Sequence, residues 1–391
     1  MNNLKNIEIE LSIVIPCLNE DETLRVCIQK CQNVIDSEQL SAEIIIADNG
    51  STDDSLQIAE EMGVRIVSVK EKGYGHALMT GMYASYGKYI LMGDADDSYN
   101  FLEIPKYLKK IREGFDLVQG CRLPSGGGTV MQGAMPFLHR WLGNPMLTSL
   151  ARLMFNVPIH DIYCGMRCFT KKLFIELDQK CTGMEFATEN IIKSSLGSYK
   201  IAEVPITLHP DGRIKKTPHL RTFRDGWRTL RFFLMYCPNW LFFILGLFLI
   251  LLGAFGYALA LPAIQIFGVT FDAHTLIFAS LAWISGFQSI VFGVLTKKFA
   301  ISEGLHPADA SFLKWDARFS VETGLVVSIG LLFPAIYLLV YAILIWKGNS
   351  FGVLDYAITM RYVVPGMTLF VLGFQTMLFS FFSGILNIAR K

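Results

Sequence analysis

Four stretches of the chain, about Asn239–Leu261, Leu276–Leu295, Gly324–Trp346 and Val363–Leu386, contain no Asp, Glu, Lys, Arg or His. Each is close to the ~20 residues an α-helix needs to cross ~30 Å of hydrocarbon. The pattern predicts four membrane spans. Charge divides the chain in the same place: residues 1–235 carry 27 Lys+Arg and 28 Asp+Glu, whereas residues 236–391 carry 8 and 6. The expected organisation is a soluble domain over 1–210, basic amphipathic helices over 211–236 and a membrane domain over 237–391. A hydrophobic content of 52% excludes a disordered chain, which lacks the apolar surface to offset ordering entropy. A net charge of +1 gives no basic footprint for nucleic acid.

Loop charge predicts the orientation. Arg213, Lys215, Lys216, Arg221, Arg224, Arg228 and Arg231 precede the first span, and Lys297, Lys298, Lys314 and Arg318 lie between the second and third. The loop Pro262–Thr275 has no Lys or Arg, the third loop has only Lys347 and Arg361, and the tail ends Arg390-Lys391. Positive charge collects on the cytosolic side, so both termini are expected there. Leu11–Cys17 is too short for a secretory segment, which also predicts a cytosolic start. Arg221, Arg224, Arg228 and Arg231 recur at helical spacing with Phe223, Trp227 and Leu230 between them, as in a helix lying on anionic lipid. The clean spans argue against ion-coupled transport, which needs charged groups at membrane depth. Eight cysteines form no CxxC pair; Cys27/Cys31 and Cys164/Cys168 are read as chance spacings rather than metal sites.

The first half alternates. Apolar runs Ser12–Pro16, Ala42–Ala47, Arg65–Val69, Tyr89–Met92 and Asp116–Gln119 read as strands. Asp21–Ile35, Ser55–Met62, Ala77–Tyr86 and Ile104–Glu113 read as helices. That order predicts an α/β fold with a mostly parallel sheet, whose ligands bind beyond the carboxyl ends of the strands. The residues there are polar: Asn19-Glu20, Asp48–Asp54, Asp94-Ala95-Asp96-Asp97 and Arg122. Asp94 and Asp96 stand at i, i+2 after a strand, a spacing that lets two carboxylates share a hard cation with substrate phosphates. Gly73-Tyr74-Gly75 is a lone GxG, read as a tight turn whose backbone approaches a donor. There is no P-loop, so nucleotide triphosphate hydrolysis is not indicated.

Ser12–Glu20 (SIVIPCLNE), Asp48–Asp53 (DNGSTD), Lys72–Leu78 (KGYGHAL), Gly93–Asp97 (GDADD) and Gly120–Arg122 (GCR) together resemble glycosyltransferase family 2, with its GT-A, Rossmann-like fold. Asp161–Phe169 (DIYCGMRCF) and Met184–Glu189 (MEFATE) resemble its polyprenyl-phosphate branch, the dolichyl-phosphate mannose and glucose synthase type. The resemblance implies a nucleotide-sugar pocket lined by Pro16, Asn19, Glu20, Asp48, Asn49, Lys72, Gly73, Asp94 and Ala95. It implies Mg²⁺ or Mn²⁺ on Asp96, with Asp94 beside it, and an acceptor phosphate on Arg122 and Arg140. Arg213 and Lys215 are further candidates for that phosphate. Glu185 and Glu189 are the carboxylates available if a base is used. The family often has Gln two residues past the metal aspartate, where this chain has Ser98.

The expected reaction is inverting transfer from a nucleotide diphosphate sugar, UDP-glucose or another UDP-sugar ahead of GDP-mannose, to undecaprenyl or another polyprenyl phosphate. The expected setting is a bacterial plasma membrane, and anchored relatives imply self-association. Two other readings stand beside it. A processive or glycolipid-forming synthase of the same family would carry Q-x-x-R-W, but Phe137 stands where Gln should precede Arg140-Trp141. A non-enzymatic membrane assembly protein would tolerate loss of Asp96 and Arg122.

Overall fold

The structure is a computed structural model and describes residues 9–214, 222–307 and 310–388. The chain forms two compact units, Met1–Phe233 and Leu234–Lys391.

The first unit is built on a seven-stranded sheet. Its strands are β1 (Leu11–Cys17), β2 (Ala42–Asp48), β3 (Arg65–Ser68), β4 (Tyr89–Met92), β5 (Leu117–Cys121), β7 (Arg167–Thr170) and β8 (Ile201–Pro205), in the order β3-β2-β1-β4-β7-β5-β8. Short β6 (Thr129–Val130) and β9 (Thr207–Leu208) pair beside it. All neighbours run parallel except β7, which lies antiparallel between β4 and β5. The helices are α1 (Leu24–Ser37), α2 (Ser55–Glu61), α3 (Tyr74–Ala84), α4 (Ile104–Arg112), α5 (Asn144–Phe155), α6 (Lys171–Leu177) and α7 (Glu185–Leu196).

The central strands are apolar throughout because both faces are covered. Leu11, Ile13 and Ile15 of β1 pack with Leu24, Cys27, Ile28 and Cys31 of α1 in one core. Val14 faces the other way, toward Gly81 of α3, where a side chain would come within 2.7 Å of it. Parallel pairing keeps the strand ends level: Cys17 is opposite Asp48, and Val14 opposite Met92. The loops after β1, β2 and β4 therefore open on one rim.

Two helix starts differ from expectation. Helix α1 starts at Leu24 rather than Asp21, because the Glu20 carbonyl turns the chain first, accepting from the Thr23 and Leu24 amides. Helix α3 starts at Tyr74 rather than Ala77, and so takes in Gly75.

Helix α8 (Thr222–Tyr236) carries the chain across the boundary between the units. Then come α9 (Leu245–Ala260) after a π-helical turn Asn239–Ile244, the small hairpin β10 (Gln265–Ile266) and β11 (Val269–Thr270), α10 (Ala273–Ser302), α11 (Ala310–Asp316), α12 (Val321–Gly348) and α13 (Tyr356–Leu386). Among the described residues four helical segments are long and apolar enough to span a membrane, Asn239–Ala260, Ala273–Ser302, Val321–Gly348 and Tyr356–Leu386. The last three run beyond the charge-free stretches, because a helix does not end where hydrocarbon does. With no hydrophobic drive between helices in lipid, small residues and hydroxyls make the contacts. Gly246 of α9 and Gly286 of α10 abut backbone to backbone. The Tyr257 hydroxyl lies 2.7 Å from Ser280 Oγ and donates to Thr368 Oγ1 at 2.9 Å, joining α9, α10 and α13. Lys298 is paired with Asp316 at 3.0 Å and donates to Ser383 Oγ at 2.7 Å.

Candidate active site

The rim after β1 and β2 is laced by its own side chains. Asp48, only 4% exposed, accepts the Gly50 and Ser51 amides at 3.0 Å each and so shapes the DNGS turn. Asn19 has a left-handed backbone, φ 57°, and its Oδ1 accepts the Thr52 amide at 2.7 Å. Asn49 reaches the next segment: its Nδ2 donates to the Glu71 carbonyl and its Oδ1 accepts the Gly73 amide, both at 2.8 Å. Lys72 Nζ returns to the Asn49 carbonyl at 2.7 Å. Pro16 lies opposite Ala47 in the ladder. The predicted nucleotide-pocket residues of β1, β2 and the Lys72-Gly73 segment are thus one connected wall.

The GxG is not a turn. Gly73, at φ 146°, leads into α3, whose first turn lies against the loop Cys181–Thr182. A Cβ on Gly75 would sit 2.7 Å from the Cys181 carbonyl oxygen, so the glycines serve a close backbone approach. That loop is held by Glu189, a predicted base candidate. Glu189 is 0% exposed, and its carboxylate takes the Lys180 and Cys181 amides at 3.0 and 2.8 Å and pairs with Lys193 at 3.2 Å. So engaged, it anchors that loop. Glu185 stands at the start of α7 and pairs with Arg228 of α8, Nη2 to Oε2 at 2.8 Å.

Asp94 and Asp96 follow β4. Tyr74 donates its hydroxyl to Asp94 Oδ1 at 2.8 Å. Burial, then the Asp96 charge, push the Asp94 carboxyl up to about 6. Burial and Asp94 likewise hold the Tyr74 hydroxyl well above its ordinary value, so it stays a donor. Ser98 orients Asp96, giving its amide and hydroxyl to Oδ1 at 3.0 and 2.6 Å. Asp97 turns away at φ 58° to pair with Lys30 at 2.6 Å, so two of the three acids belong to the rim. Ala95 is buried between them.

Arg213 meets these acids. Its Nη1 lies 3.2 Å from Glu20 Oε1, its Nη2 3.8 Å from Asp96 Oδ2, and its Nε donates to both Asp211 oxygens at 2.8 and 3.0 Å. The predicted phosphate ligand is thus found among carboxylates. Arg122 is held by Asp161 and is buried. Burial disfavours its charge, but Asp161, together with Tyr99 and Cys164, more than offsets this and keeps it well above its ordinary value. Arg140 lies over the Trp141 ring, 5.1 Å from its centroid, and its buried Nε has no partner. Lys215 lies outside the described residues.

Among the described residues no three His, Cys, Asp or Glu side chains are arranged to hold a metal ion. A hard cation needs fewer: one or two carboxylates suffice when phosphate oxygens and water complete the set. Asp94 and Asp96, the first with its ionisation suppressed by burial and then by the charge of the second, and a guanidinium already drawn toward Asp96, fit such an ion.

Around Arg140 the unit exposes an apolar face. Phe137, 77% exposed, and Leu138 just before the π-helical turn His139–Gly143, Trp141 and Leu142 in it, and Met146 and Leu153 of α5 are all exposed. A cavity of about 410 Å³ lies at the opposite ends of the central strands, lined by Ile9, Lys88, Asp116 and Lys171, and holds none of the predicted site residues.

Glycosyl transferase family 2 matches residues 12–178, and the family's C-terminal transmembrane region matches residues 294–387. The low-salt glycan biosynthesis hexosyltransferase Agl6 of Haloferax volcanii is 34% identical over 382 residues, covering 96% of this chain and 89% of that protein. The chain belongs to glycosyltransferase family 2. A dolichyl-phosphate hexose transferase of Haloferax volcanii is 31% identical over 50% of this chain and 82% of its own. Among solved structures, glucosyl-3-phosphoglycerate synthase of Mycobacterium tuberculosis with Mn²⁺, UDP and glucosyl-3-phosphoglycerate is 21% identical over 59% of this chain and 82% of that one, with a TM-score of 0.47. This family 2 enzyme is therefore a glycosyltransferase with a GT-A sheet and a transmembrane region, an integral membrane protein.

Sequence reasoning missed Tyr74, Asp161 and Arg167. Tyr74 was visible only as the residue between two glycines. Asp161 lies 39 positions from Arg122, a pairing that spacing does not reveal. Arg167 is fully buried, donating to the Ala187 and Cys164 carbonyls, and its charge is among those that ease Asp94 toward ionisation.

Proposed function

We propose that this glycosyltransferase moves a hexose from a nucleoside diphosphate sugar to the phosphate of a polyprenyl phosphate, with inversion at the anomeric carbon. The observation that carries the reading is the pair Asp94 and Asp96 at the sheet rim, with Asp94 raised to about 6 beside its neighbour. Asp96 and Asp94 would hold Mg²⁺ or Mn²⁺. When bound, that ion neutralises the departing diphosphate.

The chain's own groups do the rest. The wall formed by Asn19, Asp48, Asn49 and Lys72 supports the nucleotide. Arg122, fixed by Asp161, and Arg140 orient the acceptor phosphate. A lipid phosphate is already ionised near neutral pH, so it attacks once positioned, without a strong base. That fits a site in which Glu189 is spent on a loop. The exposed face from Phe137 to Leu153 suits an acceptor with a long apolar tail, and the dolichyl-phosphate transferase relative supports the same acceptor class. The basic segment ahead of α9 and the basic residues Lys297, Lys298, Lys314 and Arg318 favour a cytosolic catalytic unit and cytosolic termini.

The test is a donor panel. Purified full chain, Mg²⁺ and either dolichyl or undecaprenyl phosphate are incubated with labelled UDP- and GDP-sugars. Label entering the lipid phase from at least one donor is expected. No transfer from any donor to either lipid would reject the proposal.

A further inference from the structure

The segment from His209 to Ile214 lies along the acidic rim. The His209 amide donates to the Ser98 carbonyl and the Gly212 amide to the Asp96 carbonyl, both at 2.9 Å. The Ile214 amide donates to Glu22 Oε2 at 2.7 Å. Between these stitches Arg213, its side chain 9% exposed, sits among Glu20, Asp96 and Asp211. Asp211 lies two residues before it in the same segment. Glu20 and Asp96 belong to the loops after β1 and β4. Asp96 has already given Oδ1 to Ser98, so the oxygen turned to Arg213 is the one left for a cation.

We infer that Arg213 supplies the positive charge of this rim while no donor is bound, so that a divalent cation reaches Asp96 only as the guanidinium withdraws. The inference rests on the reading of Asp96 as a cation ligand and adds an order to it. Two cations cannot share one carboxylate oxygen without repulsion, so the free ion competes with Arg213. A cation arriving with a nucleoside diphosphate meets less resistance, because the diphosphate offers the displaced guanidinium a new anion. Arg213 is thus a positioning residue that couples cation binding to donor binding.

Mn²⁺ alone, titrated into the detergent-solubilised full chain and followed by the electron paramagnetic resonance of the free ion, tests this without any transfer reaction. Arg213→Gln, which keeps most of the side chain's volume, is expected to bind Mn²⁺ about tenfold more tightly than wild type, within the range of ordinary site-to-site coupling. Arg213→Ala should tighten it likewise, and Arg213→Lys, which keeps the charge, should not. Folded Arg213→Gln and Arg213→Ala proteins that bind Mn²⁺ no better than wild type would overturn the inference while leaving the function open. Tightening that survives Asp96→Ala in the Arg213→Gln background would place the ion elsewhere and sink both.

Discussion

Arg122 and Asp161 form a bidentate pair, Nε to Oδ2 at 2.7 Å and Nη2 to Oδ1 at 2.9 Å, and the Arg122 amide adds a third bond to Oδ2 at 3.0 Å. Asp161 is fully buried, and its partner is nearly so. One edge of the guanidinium is fixed, and Nη1 faces the Tyr99 hydroxyl at 3.4 Å. A planar fork held by one edge presents the other in a defined direction. Asp161→Asn should keep the fold but slacken that aim. Transfer is expected to fall about 100-fold, as small misplacements near a reacting group do, with donor affinity unchanged. Asp161→Ala, which leaves Arg122 buried without its anion, should cost about 3–5 kcal/mol in chemical denaturation. Unchanged transfer in Asp161→Asn would show that Arg122 does not orient the acceptor.

Gly75 and Gly226 should answer the same substitution in opposite ways. A methyl on Gly75 meets the Cys181 carbonyl at 2.7 Å, whereas one on Gly226 meets nothing within 4 Å. Gly75→Ala should destabilise by about 1–3 kcal/mol, the usual range for overpacking. Gly226→Ala, within α8, should be neutral or stabilise by up to about 1 kcal/mol. Thermal unfolding in detergent reads both; equal effects would mean that the α3 start does not lie against the Cys181–Thr182 loop.

The cysteines should be quiet. Burial raises the Cys17 thiol to about 11 and the Cys27 thiol to about 12, and neighbouring acids push the same way. Both therefore remain protonated at pH 8, where an ordinary exposed thiol is partly thiolate. Iodoacetamide at pH 8 should leave Cys17 and Cys27 unmodified in the native protein and label both after denaturation, read by peptide mass spectrometry. Rapid native labelling of Cys17 would mean that the rim beside Ser51 is open.

The outward face of the α5 region should matter for the acceptor and not for the donor. Trp141→Ser with Leu142→Asp removes apolar surface and adds charge that an apolar tail must avoid. KM for a long-chain polyprenyl phosphate is expected to rise at least about tenfold, as two lost apolar contacts of 1–3 kcal/mol would cause. KM for the nucleotide sugar should be unaltered. An unchanged lipid KM would assign the face to another partner.

Much of the framework was legible because it repeats. The spans announce themselves by absence of charge, and β1, β2, β4 and β5 by runs of buried aliphatics. Strand β7 was not legible, since Arg167–Thr170 is short and begins with a charged residue that the fold buries. The rim acids were readable from Asp94-x-Asp96 after a strand. Their partners were not, because Tyr74, Ser98 and Arg213 reach them from separate segments, and a sequence shows such meetings only once the loops are placed. Glu185 and Glu189 looked alike in sequence; burial separates them, one spent on backbone amides and the other paired with Arg228.

The most direct measurement is a mass spectrum of the lipid phase after full chain, Mg²⁺, nucleotide sugar and polyprenyl phosphate have reacted. The expected product is the polyprenyl phosphate plus one hexose, joined through the phosphate, and absent with Asp96→Ala, which should still insert into membranes. A ladder of several hexoses, a hexose on a lipid lacking phosphate, or the same product from Asp96→Ala would contradict it.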